Sequence, residues 1–116
     1  FSADELANGD ATTVGRFWLA YPLPASATLD LQRPRRCQRV HVVPFFAARR
    51  RTYYFVEVSA DGRRWDRVAE NSGAIPTSAG FWHMFAARSV RFVRLTVTES
   101  DQHPPGVGRV HELSVR

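Results

Sequence analysis

Tyr53-Tyr54-Phe55-Val56-Glu57-Val58-Ser59-Ala60-Asp61-Gly62-Arg63-Arg64-Trp65 reads as a strand, a turn and the start of a returning strand. Tyr54, Val56 and Val58 recur at period two on one face, with Glu57 and Ser59 on the other, the pattern of a strand with one dry and one wet side. Asp61-Gly62 offers the positive φ values of a tight hairpin, and Trp65 stands where the returning chain would re-enter a core. Outward from this segment, no stretch holds a helical stripe, while short β-rich runs recur between clusters of Gly, Pro, Asn and Asp. The chain is therefore expected to be all-β, a sandwich or barrel. The predicted strands are 27–31, 39–45, 53–59, 66–70, 80–85, 90–98 and 110–115, with a short helical turn over 3–7. In 90–98, Val93, Leu95 and Val97 face one way and Arg94, Thr96 and Thr98 the other. The connections 8–16, 47–52, 71–79 and 99–108 carry Gly, Pro or charge and little to bury, and a sandwich collects such loops at its ends, where binding residues are held.

With 116 residues the chain is expected to form a single domain, 1–116, that needs neither metal nor disulfide to support its core. No apolar run approaches the ~20 residues of a membrane helix. It begins at Phe1 without a signal-peptide pattern, which reads as a piece excised from a longer multidomain protein. Cys37 is the lone cysteine, so no internal disulfide forms. At the start of an apolar strand it is expected to be structural rather than a nucleophile, in spite of Arg36 and Arg39 beside it. All sixteen cationic residues are Arg, and the net charge is +5. That bias is either a matter of composition or a surface for anions, since the guanidinium fork matches sulfate, phosphate and carboxylate. No aromatic RNA-recognition core accompanies the clusters Arg33/Arg35/Arg36/Arg39 and Arg49/Arg50/Arg51, so nucleic acid is not an expected partner.

The residue patterns do not ask for catalysis. His41, His83, His103 and His111 form no metal-binding pair with carboxylate support, and His41 and His111 sit within strand patterns as hydrogen-bonded, partly buried residues. There is no Gly-x-Ser-x-Gly elbow and no recognisable carboxylate pair. Asn8-Gly9-Asp10-Ala11-Thr12-Thr13 packs oxygen-bearing side chains and turn carbonyls into six residues, enough with a distant carboxylate such as Glu112 to wrap a hard cation, or else simply an Asx turn. Phe45-Phe46 before Arg49-Arg50-Arg51, and Gly80-Phe81-Trp82-His83, place rings beside polar groups near loops. Such rings stack on a sugar while Arg or His bonds its hydroxyls; the opposing reading makes Phe45, Phe81 and Phe85 core residues.

Taken in order, these anchors resemble the discoidin, or coagulation factor 5/8 type C, superfamily, and in particular carbohydrate-binding module family 32. Asn8-Gly9-Asp10 with Thr13 and Trp18 is similar to its Asp-Gly-Asp-x-x-Thr-x-Trp region, and Leu29-Asp30-Leu31 to its Val-Asp-Leu-Gly strand. Tyr54, Ser59, Asp61, Gly62 and Trp65 match the central hairpin, Val90-Arg91-Phe92-Val93-Arg94-Leu95 the Ala-Arg-Tyr-Val-Arg-Leu strand, and Glu112-Leu113 closes the pattern. The resemblance implies an eight-stranded antiparallel jelly-roll-like β-sandwich. It implies a structural Ca²⁺ held by the carbonyl near Ala7, by Asn8, Asp10 and Thr13, and by Glu112, with Asn8 standing where the family has Asp. It also implies a non-catalytic module that binds a glycan, acidic or sulfated in view of the arginines, and targets an associated catalytic domain of a secreted or surface bacterial enzyme. Arg50 aligns with a basic residue that many members present to ligand. Arg49 and Arg51 would add charge, and Phe46, Trp82 or His83 a wall. The alternatives are a discoidin domain docking on a protein or an anionic membrane through Phe45-Phe46 and the arginines, and a structural spacer. The tryptophan that often begins the Val-Asp-Leu-Gly strand is absent, with Ser26 near its place.

Overall fold

The computed structural model describes residues 18–20, 22–44, 51–77, 79–100 and 108–116. Through them run six strands: β1 (Trp18–Ala20), β2 (Ala25–Pro44), β3 (Thr52–Ser59), β4 (Asp66–Asn71), β5 (Phe81–Ser100) and β6 (Gly108–Val115). They pair antiparallel in the order β1-β6-β2-β5-β3-β4. No helix occurs among the described residues, so the sheet's apolar side is covered by the sheet itself. The two twenty-residue strands make this possible. The first part of β2 pairs with Phe92 to Val97 of β5, which also carries β3; the last part of β2 pairs with Phe81 to Met84 of β5 and with β6. One layer is thus the start of β2, the end of β5, β3 and β4, and the other is β1, β6, the end of β2 and the start of β5. Leu29, Val40, Val56, Val93, Leu95 and Leu113, drawn from both layers, are fully buried in one cluster. The result is the expected jelly-roll-like sandwich.

The long strands account for the difference from the eight strands expected. The runs 27–31 and 39–45 fuse into β2, and 80–85 and 90–98 into β5. Arg33-Pro34-Arg35-Arg36 reads as a break because Pro cannot donate to a ladder. In the fold it sits at a register shift between Asp30 and Arg35, where strands tolerate Pro. There Gln32 takes φ 74°, and its N–H donates to Asp30 Oδ1 at 2.8 Å. The three residues of β1 are too few to show a period, and the helical turn expected over 3–7 lies outside the described residues.

β3 alternates as read, with Thr52, Tyr54, Val56 and Val58 buried and Tyr53, Phe55 and Glu57 half-buried on the outer side. Its turn differs. Residues 60–65 form a six-residue loop in which Gly62 alone takes positive φ, at 81°. Asp61 works through its side chain, Oδ1 accepting the N–H groups of Arg63 and Arg64 at 2.8 and 3.0 Å. Ser59, expected on the wet side, is 1% exposed because its Oγ accepts the N–H groups of Gly62 and Asp61. Trp65 does not re-enter the core. It lies on the outer face beside Phe92 with the Arg94 guanidinium 4.0 Å above its ring, while Arg94 also bonds Glu57 at 2.9 Å.

Candidate functional site

Six strand ends gather at one end of the sandwich. The described strand ends Pro44, Thr52, Asn71, Phe81, Ser100 and Gly108 lie there, so the chain segments between them in sequence start and finish at this end. Because Ala25 pairs with Val97, β2 both starts and finishes at this end, and so does β5. The 72–80 connection is tied down on both sides. Asn71 Nδ2 donates to the Thr52 carbonyl at 3.0 Å while its Oδ1 accepts the Ala74 N–H. Gly80, at φ 67°, donates to the Thr77 carbonyl and lies flat against the Val42 carbonyl. The ring of His41 on β2 reaches across to the Ala79 carbonyl, 2.7 Å from Nε2.

The residues expected to bind ligand separate. Arg51 is exposed at this end, immediately before β3, whereas Phe46, Arg49 and Arg50 lie outside the described residues. Trp82 and His83 do not share a wall, because consecutive residues of a strand face opposite sides. His83 turns inward. Its Nε2 lies 2.7 Å from the Tyr54 hydroxyl, the two rings meeting edge to face at 5.7 Å, with Phe81 beside them. Burial holds the His83 pKa below its ordinary value and pushes the Tyr54 phenol well up, so the pair forms a neutral hydrogen-bonded bridge between layers.

Of the expected calcium ligands, Ala7, Asn8, Asp10 and Thr13 lie outside the described residues. Glu112 is in β6, its backbone opposite Val43. Among the described residues no group of three or more His, Cys, Asp or Glu is placed to hold a metal. Cys37 is 1% exposed, with its thiol directed at the Arg35 carbonyl and its pKa raised by burial, which makes it the expected structural cysteine.

Trp82 faces outward from the β1-β6-β2-β5 layer and is 47% exposed. The neighbouring strands place other groups around it. His41, its partner in the ladder, stacks on the indole with ring centroids 4.1 Å apart and planes 3° from parallel. The Arg39 and Arg116 guanidinium carbons lie 5.2 and 5.9 Å from its ring centre, and Met84, 65% exposed, continues the face. The sequence reading missed Arg39, His41 and Arg116 here. The period-two spacing of Arg39 and His41 puts them on one face, but only the pairing of β2 with β5 and β6 brings that face to Trp82. Four other arginines are used differently. Arg67, Arg88, Arg91 and Arg94 pair with Glu70, Asp66, Asp30 and Glu57, and three of them also roof Phe55, Phe92 and Trp65. These four therefore knit the outer face of the other layer.

Comparison with known proteins places this geometry. The model of the F5/8 type C domain matches residues 1–113. None of the curated proteins compared matches the chain. Among solved structures, the CBM32 of AlyQ in complex with 4,5-unsaturated mannuronic acid aligns with TM-score 0.77 at 16% identity, over 98% of this chain and 84% of that one. A truncated AlyQ with CBM32 and alginate lyase domains aligns with TM-score 0.76 at 17% identity, over 97% of this chain and 28% of that one. A pectin-binding carbohydrate-binding module gives 0.77 at 19% identity, over 98% and 78%. CpGH89CBM32-5 from Clostridium perfringens, in complex with GalNAc-β-1,3-galactose, gives 0.70 at 22% identity, over 87% and 75%. At these identities the likeness is one of fold.

Proposed function

The chain belongs to the F5/8 type C domain family, and from that premise we propose that it is a non-catalytic carbohydrate-binding module that holds an associated enzyme at a glycan. The observation that carries this reading is the match of nearly the whole chain to that family, with a fold shared by modules described in complex with sugars. The neighbour that joins such a module to an alginate lyase domain supports a catalytic partner in the same polypeptide, and with it a secreted or surface setting. The proposed ligand end is the one that carries the strand ends Pro44, Thr52, Asn71, Phe81 and Ser100, with Arg50 the principal donor and Arg49 and Arg51 adding charge. A guanidinium fork there suits a carboxylate-bearing sugar, as do the unsaturated mannuronic acid and pectin of two neighbours. The same reading includes a structural Ca²⁺ held by the Ala7 carbonyl, Asn8, Asp10, Thr13 and Glu112, an all-oxygen set that suits a hard cation.

Calorimetric titration of the chain with mannuronate, galacturonate and neutral galactoside oligomers tests this reading at millimolar sensitivity, since single modules of this size bind weakly. Binding of at least one sugar, weakened by Arg50→Ala, is expected. Failure to bind any of them in the folded protein refutes the module reading.

A further inference from the structure

We propose that the outer face of the β1-β6-β2-β5 layer, beside the loop end, is a second sugar subsite, selective for a uronate, in which Trp82 stacks on the pyranose ring and Arg39 with Arg116 holds its carboxylate. This rests on the carbohydrate-binding reading above.

The first ground is the state of Trp82. An indole 47% exposed on a flat sheet face is a large apolar surface left to a partner. It is also held still. His41 stacks on it at 4.1 Å, and the His41 ring is itself tied to the Ala79 carbonyl at 2.7 Å. A ring fixed before the ligand arrives loses little freedom on binding, which is what a stacking platform requires.

The second ground is the use of charge. Four described arginines are spent on carboxylates, but Arg39 and Arg116 have no carboxylate partner among the described residues and converge on one ring, at 5.2 and 5.9 Å. Their backbones are fixed. The N–H groups of Gln38 and Arg39 donate to the Arg116 carbonyl at 2.7 and 3.0 Å, and the Arg116 N–H returns a bond to the Arg39 carbonyl at 3.0 Å. Two guanidinium groups beside an exposed indole match a sugar that bears a carboxylate better than a neutral one, because the anion is held by bidentate, charge-assisted bonds while the C–H face of the ring meets the indole.

The third ground is the adjoining relief. A groove of about 310 Å³ lined by Arg36, Cys37, Gln38, Ala87 and Arg116 shares Arg116 with the platform, so a chain running from Trp82 past Arg116 would enter it. By contrast the charged residues lining the groove of about 290 Å³ along β3 and β4 are Arg67, Glu70 and Glu99, a net negative set that repels a polyanion. A flat strand face also favours a glycan over a bilayer, since insertion to acyl depth calls for a projecting loop tip and here cations are interleaved with the rings.

The test titrates ¹⁵N-labelled protein with a mannuronate or galacturonate tetramer and with a neutral tetramer, following the indole N–H resonances and measuring affinity by calorimetry. The Trp82 indole is expected to shift with the uronate. Trp82→Ala should weaken uronate binding about tenfold or more, and Trp82→Phe should recover part of it. The double variant Arg39→Gln/Arg116→Gln should weaken uronate binding by a similar factor and flatten its salt dependence, while Arg63→Gln/Arg64→Gln, with equal charge loss at the opposite end, should not. Thermal melts establish that each variant is folded. If Trp82→Ala keeps wild-type uronate affinity while Arg50→Ala abolishes it, the second subsite is overturned and the module reading stands. If the wild-type protein binds neither tetramer, both fall. Equal loss from the Arg63/Arg64 variant overturns the subsite in favour of diffuse charge attraction. Binding to phosphatidylserine vesicles through Trp82 without uronate binding overturns it in favour of a membrane surface.

Discussion

Replacing Gly80 by Ala tests the hinge on which the 72–80 connection enters β5. Gly80 has φ 67°, and a Cβ built on it would lie 2.6 Å from the Val42 carbonyl oxygen, 2.7 Å from Val43 Cγ2 and 3.0 Å from His41 Nε2. The left-handed backbone alone costs an L-residue about 1–2 kcal/mol. The clash adds about 1–3 kcal/mol, because the nearest atom is backbone in the β2-β5 ladder, where Val42 pairs with Phe81, and cannot swing aside. Together they predict a loss of about 2–5 kcal/mol, a melting temperature lower by about 10–20 °C for a domain of this size. Gly62→Ala is the internal control. Its φ of 81° carries the same backbone cost, but the nearest atom is Phe92 Cε2 at 3.2 Å, a ring edge that can turn, so about 1–2 kcal/mol is expected. Thermal and urea unfolding, followed by circular dichroism, measure both. A Gly80→Ala loss no larger than that of Gly62→Ala would mean that the close approach at Val42 is wrong, and with it the way the 72–80 connection anchors His41 beneath Trp82.

Other outcomes follow from the same contacts. Because burial depresses the His83 pKa, the unfolded chain binds a proton that the folded one resists; this stability is whole above about pH 6.5 and declines as pH falls through the folded value. Asp30, held down chiefly by its bond to Arg91, and Asp61, held down by the N–H groups of Arg64 and Arg63, withdraw their contributions only below about pH 4. Melts between pH 7.5 and 5 should therefore drop in the wild type and flatten in His83→Gln, and an unchanged slope in the variant would assign the effect elsewhere. Arg94→Lys should cost about 1 kcal/mol in urea unfolding, since an ammonium cannot both bond Glu57 and cover Trp65. Glu70→Gln, breaking an exposed pair with Arg67 at 3.4 Å, should stay within about 0.5 kcal/mol, and equal losses at the two sites would contradict the distinction. Millimolar Ca²⁺ should raise the melting temperature and chelation reverse it, less so in Glu112→Gln; a melt indifferent to both would remove calcium from the proposal.

What could be read from the sequence was what depends on period and local turn chemistry. The alternation of Tyr54, Val56 and Val58 and of Val93, Leu95 and Val97 fixed the buried faces, because a strand with one wet side must alternate. The all-β core followed from the recurrence of such runs. What could not be read was set by partners distant in the chain. Trp65 looked like a core residue because its size favours burial, yet Arg94, twenty-nine residues later, roofs it on the outer face. Arg33 to Arg36 looked like a loop because nothing local says that the chain on either side continues one ladder. The meeting of His83 with the Tyr54 hydroxyl was hidden as well, because the two stand on facing layers. The platform at Trp82 needs three strands in register, β5, β2 and β6, and no window of sequence contains them together.

The two long strands connect these findings to binding. Because β2 and β5 each leave the loop end, cross between layers at the far end and return, the loop end is tethered to both layers by continuous backbone on either side of the core. Loops at that end can vary in sequence without loosening the frame, which is the condition for presenting Arg49, Arg50 and Arg51 to different ligands. The same crossing leaves the start of β5, with Trp82 and Met84, on the outer face of the second layer, where β2 and β6 bring Arg39 and Arg116 alongside. A charged glycan met at the loop end would find a second cationic, aromatic surface on this face, set on strands rather than loops. Two weak contacts on one rigid body then act through local concentration, so a longer uronate chain able to span both should bind more tightly than the sum of its short fragments. Chain-length dependence of the affinity, steep for uronates and shallow for neutral oligomers, is the signature that separates a two-site module from one that uses its loop end alone.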